Sequence, residues 1–170
     1  MENQTIVISA AQKKQMDRDY QYAMCVIEKA FNCLLDIQLD LETMANYNED
    51  QLTLLAFLIF RREMLEGGLI QLIYNGYGPF VYENPFAKAL RLWGLKEFSK
   101  FVYSTRELYE KEKKYIGKKD LSEDEFMALY EAHPEFDEAD DHFVELEPII
   151  SVKISNFVLN NPIRFGIVVK

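Results

Sequence analysis

Apolar residues return at helical spacing along almost the whole chain. From residue 10 to about 36, Met16, Tyr20, Ala23, Met24, Ile27, Phe31 and Leu34 recur every three or four positions, which predicts one amphipathic helix. Asn48 followed by Gln51 has the spacing of an N-cap with its N3 partner and opens a second helix that runs to about residue 66. Its middle, LTLLAFLIF over 52–60, is apolar nearly all round, so this helix is expected at the centre of the core. Gly67 and Gly68 stop it, and Gly76 and Gly78 follow, which isolates 69–75 as a short helix between two glycine breaks. Asn84 as cap, Pro85 in the first helical position and Gly94 as a left-handed stop predict the next helix.

Phe98, Phe101, Val102, Thr105, Leu108 and Tyr109 mark a longer helix from about residue 96 that ends at Gly117, with Lys111, Lys113 and Lys114 near its C-terminus. Ser122 with Glu125 is a capping box for a helix to about 132. After Pro134, the positions Phe136, Ala139, Phe143, Leu146, Ile150, Ile154 and Phe157 carry a last helix to about 160. Pro148 falls inside that stripe, so a kink or two helices meeting end to end is expected there. Two β-like runs, 5–9 and 165–169, could pair as a short terminal ribbon. The expectation is therefore an all-α fold, a single domain over 1–170 with about seven helices, without repeats or linkers.

Composition agrees with such a domain. With 170 residues and 49% apolar positions, the chain can bury a core that needs neither disulfide nor metal. The longest apolar run, 54–60, is far too short to cross a bilayer, and MENQTIVISA lacks the basic start of a secretory signal, so a cytoplasmic location is expected. Cys25 and Cys33, eight residues apart on one expected helix, are too far apart to bridge and read as core thiols.

Charge is where the chain departs from the ordinary. A net charge of −9 argues against a basic face for nucleic acid or anionic lipid. Residues 120–147 hold twelve acids (Asp120, Glu123, Asp124, Glu125, Glu131, Glu135, Asp137, Glu138, Asp140, Asp141, Glu145 and Glu147) and no Lys or Arg, while the remainder of the chain is slightly basic. The plain reading is a solvated helical face. The other uses the geometry: Glu138, Asp141 and Glu145 share one face, roughly 4.5 and 6 Å apart along the axis, a spacing of the order of backbone phosphates. A rigid row of carboxylates can stand in for DNA before a basic protein.

Candidate chemistry elsewhere is thin. Neither His133 nor His142 has a Glu three residues before it, and the acidic segment has no glycine for a calcium loop, so no metal site or cofactor is expected. Nucleophile elbow, P-loop and dinucleotide fingerprints are absent. Gln71, Tyr74, Asn75 and Tyr77 form a polar and aromatic group beside the glycines, expected to tie a helix joint by hydrogen bonds to backbone, with a ligand pocket as the alternative.

The stretch 66–78, Glu66-Gly67-Gly68-Leu69-Ile70-Gln71-Leu72-Ile73-Tyr74-Asn75-Gly76-Tyr77-Gly78, resembles the signature of the bacterial DNA-mimic protein family, an all-helical group otherwise classed as a domain of unknown function. AKALRLWG over 87–94 and FDEADDHFVELE over 136–147 are similar to its short helix and its late acidic helix, and the family-like core spans about 48–160. The resemblance implies that Gly67, Gly68, Gln71, Tyr74, Asn75 and Gly78 are structural. It further implies a non-enzymatic acidic protein that occupies a basic DNA-binding protein, such as a nucleoid protein, a repressor or a nuclease, without binding nucleic acid or membrane itself. Asp137, Glu138, Asp140, Asp141 and Glu145 are the expected partner-binding carboxylates. An immunity or antitoxin-like role against a basic toxin is the alternative on the same face; a small-ligand or enzymatic site at the glycine joint is the second. The oligomeric state stays open, a homodimer included.

Overall fold

The structure, a computed structural model, describes residues 5–35, 41–117 and 121–170. Among these, eight α-helices have seven residues or more, and one short ribbon joins the termini. The chain divides into two compact units, Met1–Leu58 with Pro148–Lys170, and Ile59–Glu147.

In the first unit, β1 (Ile6–Ile8) and β2 (Ile167–Val169) pair in parallel, Val7 opposite Val168. The ribbon expected from the two β-like runs is present. Helix α1 (Ala10–Met16) opens with a capping box, Ser9 with Gln12. The single first helix expected over 10–36 is instead two, α1 and α2 (Tyr20–Leu35). The break has a local cause: the Asp19 carboxylate accepts the N–H groups of Gln21 and Tyr22 at 3.0 and 3.1 Å, satisfying orphan donors of a new helix start. The apolar stripe survives the break, with Met16, Ala23, Met24, Ile27 and Phe31 all buried. Cys25 is exposed on α2, against the expectation of a core thiol, because its position lies off that stripe. The Cys33 side chain lies outside the described residues.

After the four-residue α3 (Leu41–Met44) comes α4 (Glu49–Glu66), introduced as expected: the Gln51 N–H donates to Asn48 Oδ1 at 2.9 Å and the Asn48 N–H to Gln51 Oε1 at 3.0 Å. Every residue of 54–60 is buried, as the all-round apolar pattern of this helix requires. Asn48 also holds the chain's end, donating from Nδ2 to the Arg164 carbonyl at 3.0 Å, while Arg164 grips Asp50 through two bonds of 2.6 and 2.7 Å.

The second unit contains α5 (Gly68–Tyr74), α6 (Gly78–Tyr82), α7 (Phe86–Leu92), α8 (Lys96–Ile116) and α9 (Glu123–Ala132). The last helix, α10 (Glu135–Asn160), starts here and runs through Pro148 without a break, which excludes two helices meeting there. Phe60 is the hub of the core: the rings of Phe86, Phe98, Phe101 and Phe143 surround it at 5.4 to 6.3 Å, mostly edge-on. Gly94 has φ +85° and lets the Leu95 N–H reach the Leu90 carbonyl at 2.9 Å, the left-handed stop expected at that point. Asn84 does not cap α7. It donates from Nδ2 to the Phe80 carbonyl at 3.0 Å, closing the unanticipated α6, and Pro85 becomes the residue before the helix.

Asn48 joins a helix start to the returning chain end, so Asn48→Ala is expected to cost about 1–2 kcal/mol in urea unfolding, with the m-value unchanged.

Candidate functional site: the glycine joint and the acidic helix

Between α4 and α5 the chain turns at Gly67 and Gly68. Gly68 sits at φ +71°, and a Cβ there would run into the Asp140 carboxylate. Gly67 is the N-cap of α5 and has no side chain with which to cap it. The missing acceptor arrives from 71 residues further along: Asp140 Oδ1 takes the Leu69 N–H at 2.9 Å. From α9 the Tyr130 hydroxyl donates to the Gly67 carbonyl at 2.7 Å. The joint is thereby held by both acid-bearing helices.

Its other side is built on Glu63, only 2% exposed near the end of α4. Glu63 Oε2 accepts from Asn75 Nδ2 at 2.7 Å and Gln71 Nε2 at 3.1 Å; Oε1 accepts Arg62 Nε and Nη2 at 3.1 Å each. Arg62 passes a further hydrogen bond to the Tyr77 hydroxyl at 3.2 Å. Four donor groups thus satisfy one buried carboxylate, the condition under which such burial is tolerated. Gln71 and Asn75 were expected to bond backbone; they bond this side chain instead. Glu63 escaped the sequence reading, though an acid one turn beyond the all-round apolar run LTLLAFLIF was the available signal. Tyr74 lies against Phe126 of α9 at 4.6 Å, and Gly78 leaves room for the Tyr109 ring, where a Cβ would collide.

Beyond its first residue, Glu135, the acids of α10 separate into two groups. Phe136, Asp140, Phe143 and Glu147 fall on one inward stripe. The two acids on it have internal partners, Leu69 N–H for Asp140 and, for Glu147, the Arg61 guanidinium at 2.6 Å. Asp137, Glu138, Asp141 and Glu145 are exposed and lie within an arc of about 100° on the outward face. Among the described residues these four form no salt bridge, nor do the exposed Glu123, Asp124 and Glu131. Glu125 is spent on its capping box, where the Ser122 N–H holds its carboxyl below the usual range. Asp120 lies outside the described residues. Of the five carboxylates expected to meet a partner, four are therefore presented to solvent and Asp140 is turned inward.

Burial pushes the Asp140 carboxyl up to about 6, the charges of Asp137 and Asp141 add to this, and the Leu69 N–H opposes it.

A family model, the DMP19-like protein, matches residues 45–161. The chain belongs to the DMP19-like family. The resemblance drawn from the double-glycine stretch and the acidic helix is thus borne out, and both features lie within the matched region. A curated relative, the DNA mimic protein DMP19 of Neisseria meningitidis serogroup B, is 35% identical over 104 residues, which is 61% of this chain and 63% of that protein. The match therefore spans less than two thirds of the relative's length. In this DMP19-like chain, no described helix is long and apolar enough to cross a membrane.

Two consequences follow at the joint. Gly68→Ala is expected to lose about 2–4 kcal/mol, from a left-handed φ and from displacement of Asp140, read by urea unfolding; a loss below about 1 kcal/mol would mean that Asp140 moves aside freely. Asp140 binds its proton more tightly folded than unfolded, so its ionisation destabilises the fold fully above about pH 6, progressively less as pH falls, and not at all below its ordinary 3.8. Asp140→Asn keeps an oxygen for the Leu69 N–H and removes the charge. It should be more stable than the parent at pH 8, by about 1 kcal/mol after discounting for solvent screening, and equal to it near pH 3.5 in parallel thermal melts.

Proposed function

We propose that this chain is a non-enzymatic binding protein of the DNA-mimic kind, whose α10 carboxylates occupy the DNA-binding surface of a basic protein such as a nucleoid protein, a repressor or a nuclease. The observation that carries the reading is the outward row Asp137, Glu138, Asp141 and Glu145, without salt bridges among the described residues and carried on a helix whose inward side is anchored at Asp140 and Glu147. A row fixed in this way presents charge at set intervals without first ordering flexible side chains around counter-charges, and steers a basic surface toward it. Family membership and the DNA-mimic name of the Neisseria relative support the same reading. Asp140 is given a positioning role: it sets the rotation of the helix instead of meeting the partner.

The immunity-like alternative uses the same face and differs only in the partner. A ligand site at the glycine joint is disfavoured because Gln71, Asn75 and Arg62 direct their donors at Glu63.

The test is a tagged pull-down from native extract, eluted with rising salt and, in parallel, with duplex DNA. A nucleic-acid-binding protein released by both is the expected result. Its affinity for the variant carrying Asp137→Lys, Glu138→Lys, Asp141→Lys and Glu145→Lys should fall by more than about 100-fold, since like charges then face each other across the interface. Unchanged binding by that variant would falsify the proposal.

A further inference from the structure

A second cluster of acids, separate from the outward row, gathers around an imidazole. Glu112 lies near the C-terminal end of α8, His133 terminates α9 and Glu135 begins α10, three elements that converge within the second unit. His133 Nδ1 stands 3.4 Å from Glu135 Oε1 and 3.7 Å from Glu112 Oε2, and the three ligand atoms all lie within 4.8 Å of one another. Among the described residues this is the group whose chemistry and spacing suit a metal ion.

We propose that Glu112, His133 and Glu135 bind one divalent ion of the borderline class, Zn2+ first. A tetrahedral ion with bonds of roughly 2.0–2.2 Å holds its ligand atoms roughly 3.3–3.6 Å apart; the Glu135 distance of 3.4 Å falls within that range, and the Glu112 distance of 3.7 Å needs only a small inward shift. One imidazole with two carboxylates selects Zn2+ over Ca2+ or Mg2+, which ask for six or more oxygens or for retained waters. The charges balance as well, two carboxylates against one dication.

The buried member is the informative one. The Glu112 side chain is 9% exposed, and its Oε2 points at an imidazole nitrogen from beyond hydrogen-bond length. One proton on Nδ1 cannot serve both carboxylates well, and at 3.4 Å it belongs to Glu135. An ion between the three groups would serve all of them. Lys111 is the competitor: its ammonium stands 3.2 Å from Glu112 Oε1 and 3.7 Å from Glu135 Oε1, on a side chain 68% exposed. An exposed lysine in such a pair is held weakly and can swing to solvent when an ion enters. The ring itself is already oriented, with Phe136 edge-on at 5.8 Å.

The experiment uses the full chain stripped with chelator and titrated calorimetrically with Zn2+ alone, with Co2+ as a spectroscopic probe. The expected result is one ion per chain and a Co2+ complex with visible absorption bands of low coordination number. His133→Asn and Glu112→Gln should each weaken Zn2+ at least about tenfold, and His133→Asn should remove the Co2+ bands. Asp137→Asn with Asp141→Asn, on the outward row, should leave both unchanged. The proposal is overturned if no one-to-one binding is found, if His133→Asn binds as the parent does, or if the outward-row variant loses as much as the His133 variant. Should Glu112→Gln fail to fold, His133→Asn and the Co2+ spectrum decide the matter without it.

Discussion

The absence of a side chain at residue 68 is what lets the acidic helix take its place. Helix α5 begins at a glycine pair that cannot cap it, and the capping carboxylate comes instead from Asp140 on α10, close against a backbone at φ +71°. This makes a local defect depend on a distant acid. It also fixes α10 about its own axis, since Asp140 must point at Leu69 while Phe136 and Phe143 enter the core. The outward direction of Asp137, Glu138, Asp141 and Glu145 is then a consequence of helical geometry.

Seen from the core, the same joint is a polar interior made tolerable by complete pairing. Glu63 is almost fully buried, yet each of its oxygens accepts hydrogen bonds, from Gln71 and Asn75 on one and from Arg62 on the other. Removing any donor leaves charge in a poor solvent, whereas removing an outward acid leaves nothing unsatisfied. Two kinds of carboxylate therefore coexist within one unit. Those at Glu63, Asp140 and Glu147 belong to the architecture, and those of the outward row do not.

Much of this was readable from the chain. The capping boxes at Asn48 and Ser122, the glycine-bounded α5, the left-handed stop at Gly94 and the terminal ribbon all follow from local rules, and local rules are what a sequence displays directly. The misses have a common source, which is competition between partners. Asp19 starts a helix where periodicity alone continues one, and Asn84 closes the helix behind it instead of opening the one ahead. Gln71 and Asn75 turn to Glu63 because a buried carboxylate outbids a backbone carbonyl. The inward turn of Asp140 was legible in principle: it stands four residues after Phe136 and three before Phe143, on the very stripe that predicted the helix. His133 and Glu135 stand two residues apart in the chain, but spacing could not show that Glu112 joins them from α8.

The outward row also bears on stability, and the sign of that contribution is instructive. Asp137 and Asp141, and again Asp141 and Glu145, are like charges one turn apart, each pair unfavourable by a few tenths of a kcal/mol. A helix face selected only for solubility interleaves lysine at such positions and turns the penalty into a gain. No Lys or Arg occurs from 120 to 147, so the repulsion goes uncompensated within the segment, while the two inward acids of α10 do receive partners. Local electrostatics are thus left unfavourable on the outward face of a well-packed helix and balanced a few ångströms away on its inward face, the pattern expected where a rule of folding gives way to function. Under the proposed function, a basic surface docking on the row would supply the missing counter-charges, and binding would relieve the repulsion that folding leaves in place.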